Sequence, residues 1–153
     1  MQEYIHYGPT QFDPAAFQPI QNRLHTNKPY GGLWASAVDA KFGWKKWCKD
    51  AEFDFCFTSS FRFHLHPNAR VYVVDSSEKA KCMPQREKSV YELGIEITFP
   101  ILPDFERIAK DYDVIDFRIS DDKSLYRTLY GWDCDSVLIL NPNVIEIETA
   151  KIA

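Results

Sequence analysis

The side chains of this sequence that could do chemistry gather in a few places. His6 stands near the end of a short stretch closed by Gly8-Pro9, and Asp133-x-Asp135 follows Gly131. Trp34, Trp44 and Trp47 crowd one region, and His64-Leu65-His66 lies in an aromatic run. An imidazole can hydrogen-bond a ligand as readily as the backbone, and an indole can stack on a flat ring or simply fill a core. Asp133 and Asp135 have a plain structural role open to them, because Asx side chains bond nearby backbone in turns and at strand starts. His64 and His66 would share one face of a strand, the beginning of a metal site. A third ligand at sensible spacing is missing, since Cys56 and Cys82 are isolated, so no metal is expected. Gly-x-Ser-x-Gly, Gly-x-Gly-x-x-Gly and the P-loop are all absent, which removes support for a nucleophile-elbow hydrolase, a Rossmann dinucleotide fold and a P-loop phosphate cradle.

Composition narrows the classes further. With 153 residues the chain has the length of a single domain, 1–153, able to bury a core without staples. Aromatic residues make up 15%, which fits a flat-ligand pocket, a large interface or a bulky core. The net charge is -4 and no Lys/Arg run exceeds Lys45-Lys46, so the electrostatic footprint of a nucleic-acid binder is missing. Cys48, Cys56, Cys82 and Cys134 are scattered without CxxC spacing, and no basic segment followed by an apolar stretch opens the chain. Reduced thiols and a cytoplasmic location are the expectation. No apolar run approaches the roughly 18 residues of a membrane span.

The elements that must position those side chains can be read in order. Glu3 to Tyr7 reads as a strand carrying His6, and the Pro-rich segment from Phe12 to Asn27 as a loop with one helical turn near Asp13 to Phe17. Long irregular segments in small domains are commonly functional. Gly32 to Ser36 is the second strand, and Ser36 or Asp39 can cap a helix running to Asp50. On that helix Ala37, Ala40, Trp44, Trp47 and Cys48 share a face expected to point inward, with Lys41, Lys45 and Lys49 toward water. Ser60 to Leu65 and Arg70 to Asp75 read as central strands, the second followed by a helix start at Ser76-Ser77-Glu78.

From Glu87 to Ile101 the signals compete. Val90, Tyr91 and Leu93 have helical spacing, whereas Ile95 to Phe99 alternates like a strand. A helix over Asp104 to Asp111, a strand over Val114 to Arg118, a short helix over Ser124 to Leu129 and strands at Val137 to Leu140 and Val144 to Ile147 complete the reading. Strands interleaved with short helices predict an α+β fold with compact mixed or antiparallel sheets and short flanking helices.

The strand ending in His6-Tyr7-Gly8, the strand Gly31-Gly32-Leu33-Trp34-Ala35-Ser36 flowing into an aromatic helix, and the late acidic pair Asp133-x-Asp135 together resemble the ADP-ribosyltransferase fold family. The likeness covers roughly residues 3–50 and 111–148 and extends in layout to small phage-encoded transferases that modify bacterial defence complexes, some anti-CRISPR proteins among them. It implies an enzyme that transfers ADP-ribose from NAD to a macromolecular acceptor, a protein. Asp135 would take the catalytic role, stabilising positive charge as the nicotinamide–ribose bond breaks, and Asp133 the helper role toward the acceptor. His6, flanked by Tyr7 and Gly8, would orient a ribose hydroxyl. The peptide groups of Gly31 and Gly32 would pair with the nicotinamide amide, Leu33 and Ser36 would shape the pocket, and Trp34 or Trp44 would stack on the ring. The chain departs from the family in having Asp where Glu is usual and Leu33-Trp34-Ala35-Ser36 where a Tyr or a Ser-Thr-Ser set is common. Asp116 and Glu146 compete as the acid facing NAD. A non-catalytic module that binds a protein or a nucleotide ligand is the alternative on the same residues.

Overall fold

In a computed structural model the described residues are 1–24, 26–86, 89–92 and 95–147. Nine strands run through them: β1 Glu3–Tyr7, β2 Leu33–Ala37, β3 Ser60–Leu65, β4 Val71–Val74, β5 Ser89–Glu92, β6 Ile95–Thr98, β7 Val114–Phe117, β8 Ser136–Ile139 and β9 Ile145–Glu146. Four short helices accompany them: α1 Trp44–Asp50, α2 Ser77–Lys81, α3 Phe105–Asp111 and α4 Leu125–Thr128. Seven strands form one mixed sheet in the order β4-β7-β8-β2-β1-β3-β9, in which only β4 and β7 are parallel, and β5 pairs with β6 in a separate antiparallel sheet. The fold is α+β. No helix among the described residues is long and apolar enough to cross a membrane.

Period-two alternation gives the central strands two buried faces. Along β7 and β8, Ile115, Phe117 and Leu138 join a core with α2 to α4, whereas Val114, Val137 and Ile139 join a second core with Tyr4, Phe61 and Phe63. Helix starts follow their local chemistry. Ser76 accepts the Lys79 N–H at 3.3 Å and Asp104 that of Arg107 at 3.1 Å, satisfying donors that an isolated helix leaves orphaned.

Three expectations are corrected here. Val71–Val74 lies at the sheet edge rather than its centre, because β7 pairs it on one side only. The helix signal at Val90 and Tyr91 yields to β5, which pairs antiparallel with the neighbouring strand β6, Tyr91 opposite Glu96; Leu93 is outside the described residues. On α1, only Cys48 is buried, while Trp44 and Trp47 are half-exposed and stack on each other with ring centroids 5.0 Å apart. The helix begins at Trp44, so Ala37 and Ala40 belong to the preceding strand and turn and cannot extend its apolar stripe.

One polar knot joins the far end of the sheet. Asp113, with its side chain 8% exposed, accepts from the Arg70 backbone N–H at 2.9 Å, from Arg70 Nε at 3.1 Å and Nη2 at 3.0 Å, and from Asn141 Nδ2 at 2.9 Å. The Arg70 guanidinium holds this carboxyl well below the usual carboxylate range. A depressed pKa contributes stability that is present above the unfolded-state value of about 4 and is lost as pH falls toward the folded-state value. Acid unfolding of Asp113→Asn should therefore be less steep below about pH 4 than that of the parent chain. Identical acid limbs by circular dichroism would remove Asp113 as a source of acid sensitivity.

Candidate functional site

β1 stays paired with β3 through Tyr7 but meets β2 only at Tyr4↔Ala37 and Ile5↔Ser36. Beyond that point β1 and β2 part, and the His6 ring takes up a backbone group there: Nδ1 lies 2.6 Å from the Trp34 carbonyl oxygen. A carbonyl only accepts, so Nδ1 carries the proton and Nε2 of the neutral ring is left as an acceptor. Gly8 lies against that ring, and a Cβ there would sit 3.4 Å from Nε2.

The parting strands open onto a cavity of about 450 Å³, within the usual range for small-molecule sites. His6, Tyr7, Trp34, Ser36, Trp44 and Asp133 all line it. Segments from both ends of the chain thus share one crevice. Gly8, Gly31, Gly32, Leu33 and Asp135 do not line it.

Ser36 acts beside the cavity by positioning others. Its buried hydroxyl donates to the Asp135 carbonyl oxygen at 3.2 Å and accepts the Trp44 N–H at 3.1 Å. It thereby ties β2 to the start of α1 and to the entry of β8, and fixes where the Trp44 indole begins. Trp34 also lines the cavity, its ring centroid 5.1 Å from that of Trp132 and 6.4 Å from that of Phe117. Trp44 continues outward into a surface cluster with Trp47, Phe53 and Phe55, in which Phe53 is 49% exposed. The chain has no match among protein-family models, curated proteins or solved structures.

The two acids hold the reverse of their expected places. Asp133 is half-buried on the cavity wall, and its carboxylate has no hydrogen bond or ion pair among the described residues; its carbonyl oxygen accepts the Tyr126 hydroxyl at 3.0 Å. Asp135, 9% exposed, turns away into a second depression of about 400 Å³. Its Oδ1 accepts the Ser120 N–H at 2.8 Å, and its Oδ2 accepts the Ser120 hydroxyl at 2.6 Å and the Phe42 N–H at 3.1 Å. These bonds occupy the carboxylate as a strut between the α1 approach and the turn before β8. Alternation explains the outcome, since residues two apart share a face only inside a regular strand, and β8 begins at Ser136. The competing acids lie elsewhere. Asp116 pairs with Arg118 at 2.9 Å beside the second depression, and Glu146 sits on β9, 4.0 Å from His66 Nε2.

The glycines are also corrected. The Gly32 N–H already donates to the Gln18 carbonyl at 2.8 Å, so it is not available to a ligand amide. Gly31 and Gly32 have φ of +70° and +69°, and a Cβ on Gly31 would lie 2.1 Å from the Pro19 carbonyl oxygen. They let the 18–30 segment press against the start of β2. Gly31→Ala is expected to destabilise the fold by at least about 2 kcal/mol, read as a lower urea midpoint at unchanged slope. An unchanged midpoint would contradict that close approach. Leu33 faces the second core.

Arg23, Lys28, Phe55, Trp132 and Cys134 line the cavity without having been expected there. Trp132 adjoins the acidic pair, and the irregular 12–27 segment was the available signal for Arg23. Burial, with Asp135 and Asp133 adding to it, pushes the Cys134 thiol up to about 12, which disfavours the thiolate at neutral pH. All four cysteines are free thiols. Among the described residues no group of three or more His, Cys, Asp or Glu is placed to hold a metal; His64 Nδ1 lies 2.9 Å from the Gln2 carbonyl oxygen, and His66 Nδ1 accepts the Asn68 N–H at 3.2 Å.

Proposed function

We propose that the chain is an ADP-ribosyltransferase-like enzyme that cleaves NAD in the cavity between β1 and β2 and transfers ADP-ribose to a macromolecular acceptor. The observation that carries this reading is the meeting of His6, Trp34, Trp44 and Asp133 on one wall-to-wall cavity. An acceptor for a sugar hydroxyl, a flat face for an aromatic ring and a carboxylate are groups that glycosidic cleavage of a nicotinamide riboside can use together.

In this reading NAD is the substrate and supplies a leaving group that departs neutral with the bonding pair. Asp133 stabilises the positive charge that develops on the ribose, the moment at which a carboxylate contributes most. His6 Nε2 accepts from a ribose hydroxyl while its Nδ1 holds the ring against Trp34. Trp34 or Trp44 covers the nicotinamide. The acceptor's nucleophile then bonds to the ribose carbon and gives up its proton to Asp133. The catalytic role thus moves from Asp135 to Asp133.

Incubation with labelled NAD and a cell lysate tests the proposal: label should pass to a macromolecule, and His6→Ala should reduce the transfer. Transfer at the parent rate by His6→Ala would remove the imidazole from the mechanism. One observation favours a second reading, a non-catalytic binding module. No group among the described residues orients the Asp133 carboxylate, whereas catalytic carboxylates are commonly held in place. Calorimetry separates the two, since a module without NAD chemistry would show no NAD affinity beside a stable protein complex on pull-down.

A further inference from the structure

The segment from Gln18 to Tyr30 brings two cations to the cavity wall for which sugar and ring binding have no use. Arg23 and Lys28 both line the cavity, and neither enters an ion pair among the described residues. This is notable in a chain whose 22 Asp and Glu outnumber its 18 Lys and Arg. The cavity reverses that balance, because Asp133 is its one carboxylate against the two cations.

The segment that carries them is tied down at several points. Gln21 and Tyr30 exchange backbone hydrogen bonds of 3.0 and 2.8 Å, closing the loop at its base. Arg86 donates to the Arg23 carbonyl at 2.6 Å and to that of Thr26 at 3.1 Å, and the Asn27 side chain donates to the Tyr130 carbonyl at 2.8 Å. The Arg23 guanidinium lies 4.3 Å from the centroid of the Tyr30 ring. Stacking uses the face of a guanidinium and leaves its in-plane N–H donors for another partner.

We infer that Arg23 and Lys28 form an anion subsite that holds the diphosphate of a nucleotide whose flat part lies against the cavity's tryptophans. Two cations match a diphosphate, and Arg in particular offers paired donors to phosphate oxygens. Assigning the diphosphate to a dinucleotide rests on the transferase reading; the cation pair itself does not.

Calorimetric titration of ADP into the parent chain, Arg23→Gln, Lys28→Gln and the surface control Lys49→Gln tests the inference, with circular dichroism confirming that each variant is folded. ADP should bind the parent and Lys49→Gln alike and bind each cavity variant about tenfold more weakly, with affinity falling as salt rises. Adenosine should bind the parent much more weakly than ADP. The inference is overturned by equal ADP affinity in parent and cavity variants, by an equal loss in Lys49→Gln, or by no ADP binding to the parent. ADP binding that depends on Arg23 and Lys28, in a chain that never cleaves NAD, upholds the subsite and removes the transferase. NAD cleavage at unchanged KM in both cavity variants does the opposite.

Discussion

Under the proposed transferase reading, replacing Asp133 by Asn should slow NAD cleavage and transfer by about a hundredfold to a thousandfold while leaving thermal unfolding unchanged. The magnitude is what removal of one group aimed at developing charge costs, about 3–4 kcal/mol of transition-state stabilisation. Thermal unfolding should not move because the Asp133 carboxylate makes no hydrogen bond or ion pair among the described residues. Asn keeps the shape and removes the charge, so kcat should fall more than KM rises. Single-turnover release of labelled nicotinamide measures this directly. A variant with parent kcat would end the proposed role of Asp133.

The neighbouring acid should behave in the opposite way. Asp135→Ala leaves the Ser120 and Phe42 N–H groups and the Ser120 hydroxyl without the acceptor they now share. Each of these three part-buried donors left unsatisfied costs about 1 kcal/mol or more, so a total loss of at least about 3 kcal/mol is expected. For a domain of this size that lowers Tm by about 10 °C. Activity should decline only as the folded fraction does. If Asp135→Ala unfolds at the parent temperature yet is selectively inactive, the catalytic assignment returns to Asp135. The two substitutions together separate a carboxylate that works on a ligand from one that holds the chain.

The strands were largely legible because each carries its own pattern. Glu3–Tyr7 and Ser60–Leu65 have the bounds expected of them, and the helix over Phe105–Asp111 starts after its Asp104 cap. Where prediction failed, a neighbouring segment rather than the element's own pattern decided the outcome. Tyr91 is in β5 because β6 is beside it, and the Trp44 and Trp47 indoles remain at the surface because Phe53 and Phe55 meet them there.

The candidate site divides along the same line. The sequence alone showed which groups have the chemistry: an imidazole at a strand end, indoles beside it, and a late pair of acids. It also showed that the 12–27 segment is irregular, without showing that its cations reach the same cavity. Only the tertiary structure decided which acid enters the crevice. A step of two residues outside a regular strand does not preserve direction, and the hydrogen bonds from Phe42 and Ser120 draw Asp135 away while leaving Asp133 on the wall. Residue type is local information. The direction a side chain takes at the end of a strand depends on the distant groups that bond it.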